Sequence, residues 1–222
     1  MSAALLVLTA VPVGVAWGAE PAPAVALGHD VAEIVDRVQQ RYADVEVLQA
    51  SFVQVTKSPY YGEEEQRGTV VMQRPSKMRW LFDDSGKQFV TDGDTMWIYT
   101  PAAKQVLRFR DFSAQSSTAN SLLQSLHKVG DLFEVELLAS EIEGGHTLSM
   151  VPKDAIAKTQ VKSLVLSLDS ALLMQELVIT DPSDSVTDMT FSGVKLGGEV
   201  PEDTFRFEIP EGVEVIDTNP AG

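Results

Sequence analysis

The residue types that most often carry catalysis are scattered in this sequence. Its three histidines, His29, His127 and His146, lie far apart and lack the i,i+4 or H-x-H spacing of a metal site. There is no cysteine, which excludes disulfides, iron–sulfur clusters, thiol catalysis and cysteine-based zinc sites. The motifs of P-loops, dinucleotide sites, serine hydrolases and zinc proteases are also missing. The sequence therefore predicts a protein that is not an enzyme and uses no metal or cofactor.

The charge balance narrows the choice of partners. The 222 residues include 17 Lys plus Arg and 32 Asp plus Glu, for a formal net charge of −15. Most of that charge lies in residues 131–222, which carry a net −13, whereas residues 20–130 carry only −2. A nucleic-acid binder needs a basic stripe to neutralise phosphates, so we expect no nucleic acid as a partner.

The first 19 residues have the composition of a secretory signal. They contain no charged side chain, and their apolar stretch 3–16 is shorter than the ~20 residues that a membrane-spanning helix needs. We predict a signal peptide at 1–19, a linker at 20–29 and one domain at 30–219. The alternative is a buried N-terminal strand. Export of a cysteine-free chain fits a bacterial periplasm.

Hydrophobic periodicity predicts one helix followed by many strands. Apolar residues in 30–43 recur at helical spacing, and Leu122, Leu123 and Leu126 repeat that spacing in 113–127. Elsewhere the period is two, with turn signals such as Asp92-Gly93 between short runs. The predicted strands are 47–55, 66–74, 77–83, 87–91, 94–99, 104–110, 132–139, 145–151, 160–168, 172–180, 185–193 and 205–207.

These elements define the expected fold class. Such closely spaced strands predict an antiparallel meander, because parallel crossovers need a dozen or more residues. One sheet this large must curl to bury its faces. We therefore expect a mainly β protein with a few helices: an unclosed half-barrel of about eleven antiparallel strands, with a helical lid over the concave face.

Strand alternation predicts an apolar inner surface. Val70 and Met72 share one face of their strand, as Met96 and Ile98 do on another. This face is either an ordinary core or a ligand cavity whose methionines adapt to varied ligands. Arg74 shares the face of Val70 and Met72, and an arginine there needs acceptors, which carbonyls of an overlying helix or loop would supply. The alternative is a surface arginine at a strand end.

Three segments resemble the periplasmic outer-membrane lipoprotein carriers of the LolA type. They are ASFVQ after the first helix, GTVVMQRPSKMRWLF at 68–82 and QFVTDGDTMWIYTPAAKQV at 88–106; FRFEIPEGVEVID at 205–217 is a weaker match. The resemblance implies an eleven-stranded unclosed barrel with a helical lid. It also implies that acylated lipoproteins are shuttled from an inner-membrane exporter complex to an outer-membrane receptor.

The resemblance also implies roles for individual residues. Arg74 aligns with the family arginine that bonds to the lid and holds it shut without cargo. Trp80 matches a family tryptophan, Met78 falls where the family often has an aromatic residue near the cavity, and Tyr42 occupies a lid position that is usually aliphatic. The candidate cavity and lid residues are Tyr42, Phe52, Val70, Met72, Arg74, Met78, Trp80, Phe82, Met96, Ile98, Leu122, Leu123 and Leu126.

The expected function is that of a periplasmic carrier, most simply a monomer, with two states. In the empty state the lid closes over a hollow beneath the helices, and in the loaded state acyl chains occupy that hollow. One alternative is a non-enzymatic acyl- or protein-sensing module on the same half-barrel. Another is a secreted hydrolase, which would require one essential pair among the carboxylates.

Overall fold

The computed structural model describes residues 31–110, 112 and 126–218. The predicted signal peptide at 1–19, the linker at 20–29, and Leu122 and Leu123 of the second predicted helix lie outside the described residues, and their assignments stay predictions.

The described helices are few and short, apart from the first. Helix α1 spans Val31–Ala43, close to its predicted bounds, and the stripe Ile34, Val35, Val38 and Tyr42 forms its buried side. Helices α2 (Val129–Leu132) and α3 (Ala155–Lys158) are single turns. Further 3₁₀ turns lie at Pro101–Ala103, Leu126–Lys128 and Glu202–Phe205.

All described strands belong to one sheet. The strands are β1 (Val47–Ser58), β2 (Gly62–Gln73), β3 (Lys77–Phe82), β4 (Gln88–Thr91), β5 (Thr95–Thr100), β6 (Gln105–Arg110), β7 (Phe133–Leu138), β8 (His146–Pro152), β9 (Ser163–Leu168), β10 (Met174–Thr180), β11 (Val186–Leu196) and β12 (Glu214–Thr218). Their order is β12-β6-β5-β4-β3-β2-β1-β11-β10-β9-β8-β7. Within the described part of the chain, the end strands β12 and β7 do not pair with each other, so the sheet is open, as the half-barrel prediction requires.

The last part of the chain departs from the prediction. The expected strand at 205–207 is wrong: Phe205 ends a 3₁₀ turn, and the final strand is β12, which pairs in parallel with β6. The chain reaches β6 from β11 by crossing the sheet in residues 197–213. Phe205, Arg206 and Phe207 belong to this crossing segment. They therefore lie over a face of the sheet and do not form a strand at its edge. Among the described residues the sheet thus has twelve strands, of which β12 and β6 pair in parallel.

Residues 197–213 form a strap across what we call the outer face. Arg79 fixes the strap by donating from Nη1 to the Thr204 carbonyl oxygen at 3.1 Å. The Phe207 ring stacks on Trp97, with ring centroids 6.0 Å apart. Val90 of β4 and Val106 of β6, which lie on this face by strand register, have no exposed surface. The strap therefore covers only the outer face, and the opposite face is the one against which helix α1 packs.

The opposite, inner face carries the main hydrophobic core. Cross-strand pairs place side chains of successive strands in rows on this face, because directly paired residues point the same way. One row runs across the first half of the sheet as Ala50, Val70, Trp80, Phe89 and Ile98. A second row crosses the other half as Met189, Leu177, Leu166, Leu148 and Leu137. Helix α1 packs into the same cluster.

Candidate ligand-binding face and its lid

An aromatic cluster lies on the inner face where β1, β2, β3 and β4 meet. The Phe52 ring makes edge contacts with Trp80 and Phe82, at centroid distances of 4.9 and 5.3 Å. Phe82 makes a third such contact with Phe89 at 5.6 Å, and the Lys87 ammonium lies 4.8 Å from the Phe89 ring centre. Edge-to-face rings and a cation over a ring are both favourable arrangements. The cluster is therefore a well-defined apolar surface with one charged group beside it.

Gly68 allows the Phe52 ring to lie across the neighbouring strand. It faces Phe52 in the β1–β2 register. A Cβ atom at this position would lie 1.9 Å from the Leu81 carbonyl oxygen and 3.1 Å from the Phe52 ring. Any side chain here would push apart the backbone of β2 and β3, so the glycine is needed for close approach.

The lid packs tightly against part of the inner face. We use the term lid for α1 together with residues 126–132, which pack against it. The lid residues Ile34, Val38, Leu126 and Val129 are fully buried, and so are inner-face residues such as Leu166. Zero exposure leaves no water-sized gap beside these described side chains. An acyl chain that binds beside these side chains would have to displace them. The hollow predicted beneath the helices stays a prediction.

Arg74 joins the end of β2 to the C-terminus of α1. Its Nη2 donates to the Tyr42 carbonyl oxygen at 2.7 Å, and its Nη1 donates to the Ala43 carbonyl oxygen at 2.8 Å. The last carbonyls of a helix lack partners within the helix and carry partial negative charge, so a guanidinium there is doubly favourable. Partial burial lowers the pKa of Arg74, while the Glu46 and Asp44 carboxylates act in the opposite sense. The sequence predicted helix or loop carbonyls as acceptors, and the observed acceptors belong to the helix.

Tyr42 fastens the same end of α1 to the other half of the sheet. Its hydroxyl donates to the Leu172 carbonyl oxygen at 3.1 Å and accepts from the Met174 N–H at 3.3 Å. The side chain is 1% exposed, and this burial raises its pKa to about 12. A charged phenolate is poorly solvated in such a place. Tyr42 thus serves as a neutral hydrogen-bonding link between α1 and the turn before β10.

A third polar contact joins the two parts of the lid. The Gly130 N–H donates to Gln39 Oε1 at 2.9 Å. A Cβ at Gly130 would lie 2.8 Å from Val35 Cγ1, so the two segments approach as closely as a glycine permits. The lid is consequently one packed unit held by a few directional bonds.

The structure brings most of the predicted site residues together. Phe52, Val70, Met72, Met78, Trp80, Phe82, Tyr42 and Leu126 all belong to one buried cluster. Met96 and Ile98 share the inner-face rows of Met78 and Trp80 but remain half-buried and outside that cluster. No ligand contact tests these residues, so their part in binding stays a prediction.

Two contacts of the lid were not predicted. The Tyr42 hydroxyl bond joins residues 130 positions apart, and the Gln39–Gly130 bond joins residues 91 positions apart. A tyrosine within an otherwise aliphatic helical stripe was the only local signal, since a buried hydroxyl needs a partner. Nothing in the sequence identified that partner.

Within the described part of the chain, no group of three or more His, Asp or Glu side chains is arranged to hold a metal ion. None of the described helices has the length and apolar character required to span a membrane.

Comparison with known proteins agrees with this architecture. The sequence profile of a family described as "Outer membrane lipoprotein carrier protein LolA" matches residues 43–208. A protein of Hahella chejuensis named outer-membrane lipoprotein carrier protein is 31% identical over 190 residues, covering 82% of this chain and 87% of the relative. A protein of Nitrosomonas europaea with the same name is 31% identical over 153 residues, covering 67% of this chain and 71% of the relative.

A solved structure shows the same fold. An uncharacterized conserved protein from Thermus thermophilus superposes with a TM-score of 0.51 at 16% identity, covering 84% of this chain and 98% of that one. The match over 43–208 includes strands β1 to β11 and, of helix α1, only Ala43. The chain is a member of the LolA family of outer membrane lipoprotein carrier proteins.

Proposed function

We propose that this protein carries lipoproteins by holding their acyl chains on the inner face of the sheet. The observation that carries the proposal is the closed lid: an amphipathic helix covers a wide apolar sheet face and is fastened at one end by the side chains of Arg74 and Tyr42. An apolar face of this size would promote aggregation if it were left exposed. The same face binds acyl chains once the lid has moved away.

The energetics of loading require such a lid. Burying one methylene group contributes ~0.8 kcal/mol, so burying twenty contributes roughly 16 kcal/mol. A carrier that kept all of this free energy would not release its cargo. Displacing the lid exposes Ile34, Val38 and other apolar side chains and breaks the Arg74 and Tyr42 bonds. These losses offset much of the gain from loading, which brings binding into a reversible range.

The location and partners follow from the same proposal. The charge-free segment 1–19 would direct export to the periplasm and then be removed, leaving 20–29 as a linker before a single domain. The protein would receive cargo from an inner-membrane exporter complex and deliver it to a receptor at the outer membrane. We propose that it does so as a monomer, without catalysis or a cofactor.

Recovery of the protein from the periplasm with its cargo tests this function. We expect mass spectrometry of the purified complex to find acylated lipoproteins. The matched control is the same lipoprotein with its lipid-bearing cysteine replaced by serine, which we expect not to be recovered. Equal recovery of both forms would mean that the protein part of the cargo is recognised and would contradict the proposal.

A transfer assay separates a carrier from an acyl-sensing module. The loaded protein is mixed with outer-membrane vesicles, and cargo is measured in each fraction. We expect cargo to move to the vesicles, because a carrier must release what it holds. Stable retention of cargo would favour the sensing module instead. No feature of the described residues favours that alternative.

A further inference from the structure

The indole of Trp80 holds a hydrogen-bond donor in an apolar place. Trp80 is 5% exposed, and its Nε1 is fully buried with no acceptor within hydrogen-bonding distance among the described residues. Burying a donor without an acceptor is unfavourable, and native proteins rarely do so. A phenylalanine would give similar apolar contact without that penalty. The unpaired donor therefore calls for an explanation beyond packing.

The surroundings of Trp80 explain why its donor stays unpaired. Its cross-strand neighbours in the inner-face row are Val70 and Phe89, and its ring contacts Phe52. None of these side chains has an acceptor. A buried water needs two to four polar partners, which this apolar cluster does not offer. An acceptor must consequently arrive with a ligand.

We propose that Trp80 Nε1 recognises the carbonyl group through which an acyl chain is attached to its cargo. The inference rests on the proposed function and assigns a polar specificity contact to the same face. An acyl chain is apolar along its length and carries one strong acceptor at its attachment point, an ester or an amide carbonyl. When the lid is displaced, that carbonyl accepts a hydrogen bond from Trp80 while the chain packs against the aromatic cluster.

Synthetic lipopeptides that differ only in this linkage test the proposal. One carries two ester-linked palmitoyl chains, the second carries two ether-linked hexadecyl chains, and the third carries two amide-linked palmitoyl chains. We expect the wild-type protein to bind the ester form about three- to tenfold more tightly than the ether form, the range that one net hydrogen bond gives. We expect the amide form to bind about as tightly as the ester form, because its carbonyl can accept the same hydrogen bond.

Two variants separate the donor from the ring. Trp80→Phe is expected to bind the ester, ether and amide forms within twofold of one another. Trp97→Phe removes an indole from the outer face, where Trp97 stacks on Phe207, and is expected to keep the wild-type preference. Because no hydrogen bond is lost in the empty protein, Trp80→Phe should change thermal stability only through packing.

A second measurement needs no variant of Trp80. In the wild-type protein, the indole ¹H–¹⁵N resonance of Trp80 should move downfield with the lipopeptide that supplies its acceptor and stay near its empty position with the plain ether form. Equal wild-type affinity for all three lipopeptides, or a preference that persists in Trp80→Phe, would overturn the inference. Failure of all three to bind would instead overturn the proposed function, and this inference with it.

Discussion

Replacing Arg74 with leucine is expected to make the protein hold cargo and deliver it poorly. The substitution removes both hydrogen bonds to the last carbonyls of α1 and so destabilises the closed, empty state. Bonds from a charged donor contribute ~1.5–3 kcal/mol each, but Arg74 is only partly buried, which reduces their effect. A net change of about 2 kcal/mol corresponds to roughly a 30-fold shift toward the open state. Transfer of cargo to outer-membrane vesicles measures the effect.

Two further variants serve as controls for Arg74. Arg74→Lys keeps the charge but places a single ammonium where two carbonyls are bridged, so we expect a partial defect. Arg67→Leu removes an exposed arginine whose partners are Glu65 and Asp84, and it should leave delivery unchanged. Delivery by Arg74→Leu at the wild-type rate would show that Arg74 does not hold the lid.

Removing the hydroxyl of Tyr42 should loosen the lid from the other half of the sheet. In Tyr42→Phe the Leu172 carbonyl loses its donor and the Met174 N–H loses its acceptor, and both groups are buried. Leaving buried polar groups unpaired costs about 1–3 kcal/mol. We expect urea unfolding at pH 7 to show that loss of stability. Tyr60→Phe, at an exposed turn position, should match the wild type.

The same pair of proteins gives a pH dependence with a defined sign. Burial raises the pKa of Tyr42 to about 12, from 10.0 in an unfolded chain. Below pH 10 the hydroxyl is neutral in both states, so its stabilisation is fully present. Between pH 10 and 12 only the unfolded chain releases the proton, which favours unfolding by about 2–3 kcal/mol in all. The advantage of the wild type over Tyr42→Phe should shrink across this range, and a constant difference would contradict the buried hydroxyl.

Local patterns were enough to predict the first half of the sheet and the helix over it. The alternation around Val70, Met78 and Met96 identified one apolar face, and the Asp92-Gly93 turn fixed the β4–β5 hairpin, where Gly93 has a φ of +111°. Arg74 stood out because a charged residue continued an apolar face. Such signals lie within a few residues of each other, so they can be recognised before the three-dimensional structure is known.

Contacts between residues far apart in the sequence were not predicted. The parallel pairing of β12 with β6 depends on a strap that crosses the sheet, and the Phe205-Arg206-Phe207 alternation is equally compatible with a strand. How deeply Ile34 and Val38 pack against the inner face is another property that periodicity does not specify. The extent to which these side chains are buried depends on how the helix packs on the sheet, so it could not be predicted from the local sequence.

The central claim is that α1 moves away from the sheet when cargo binds, and a distance between the two tests it most directly. The chain has no cysteine, so spin labels at Gln40→Cys on the exposed side of α1 and at Thr190→Cys on β11 are unique. A second pair, Thr190→Cys with Arg110→Cys, measures the sheet alone. Pulsed electron paramagnetic resonance should show the α1–sheet distance lengthening on addition of an acylated lipopeptide, while the sheet pair stays constant. Binding of the lipopeptide with an unchanged α1–sheet distance would contradict the account.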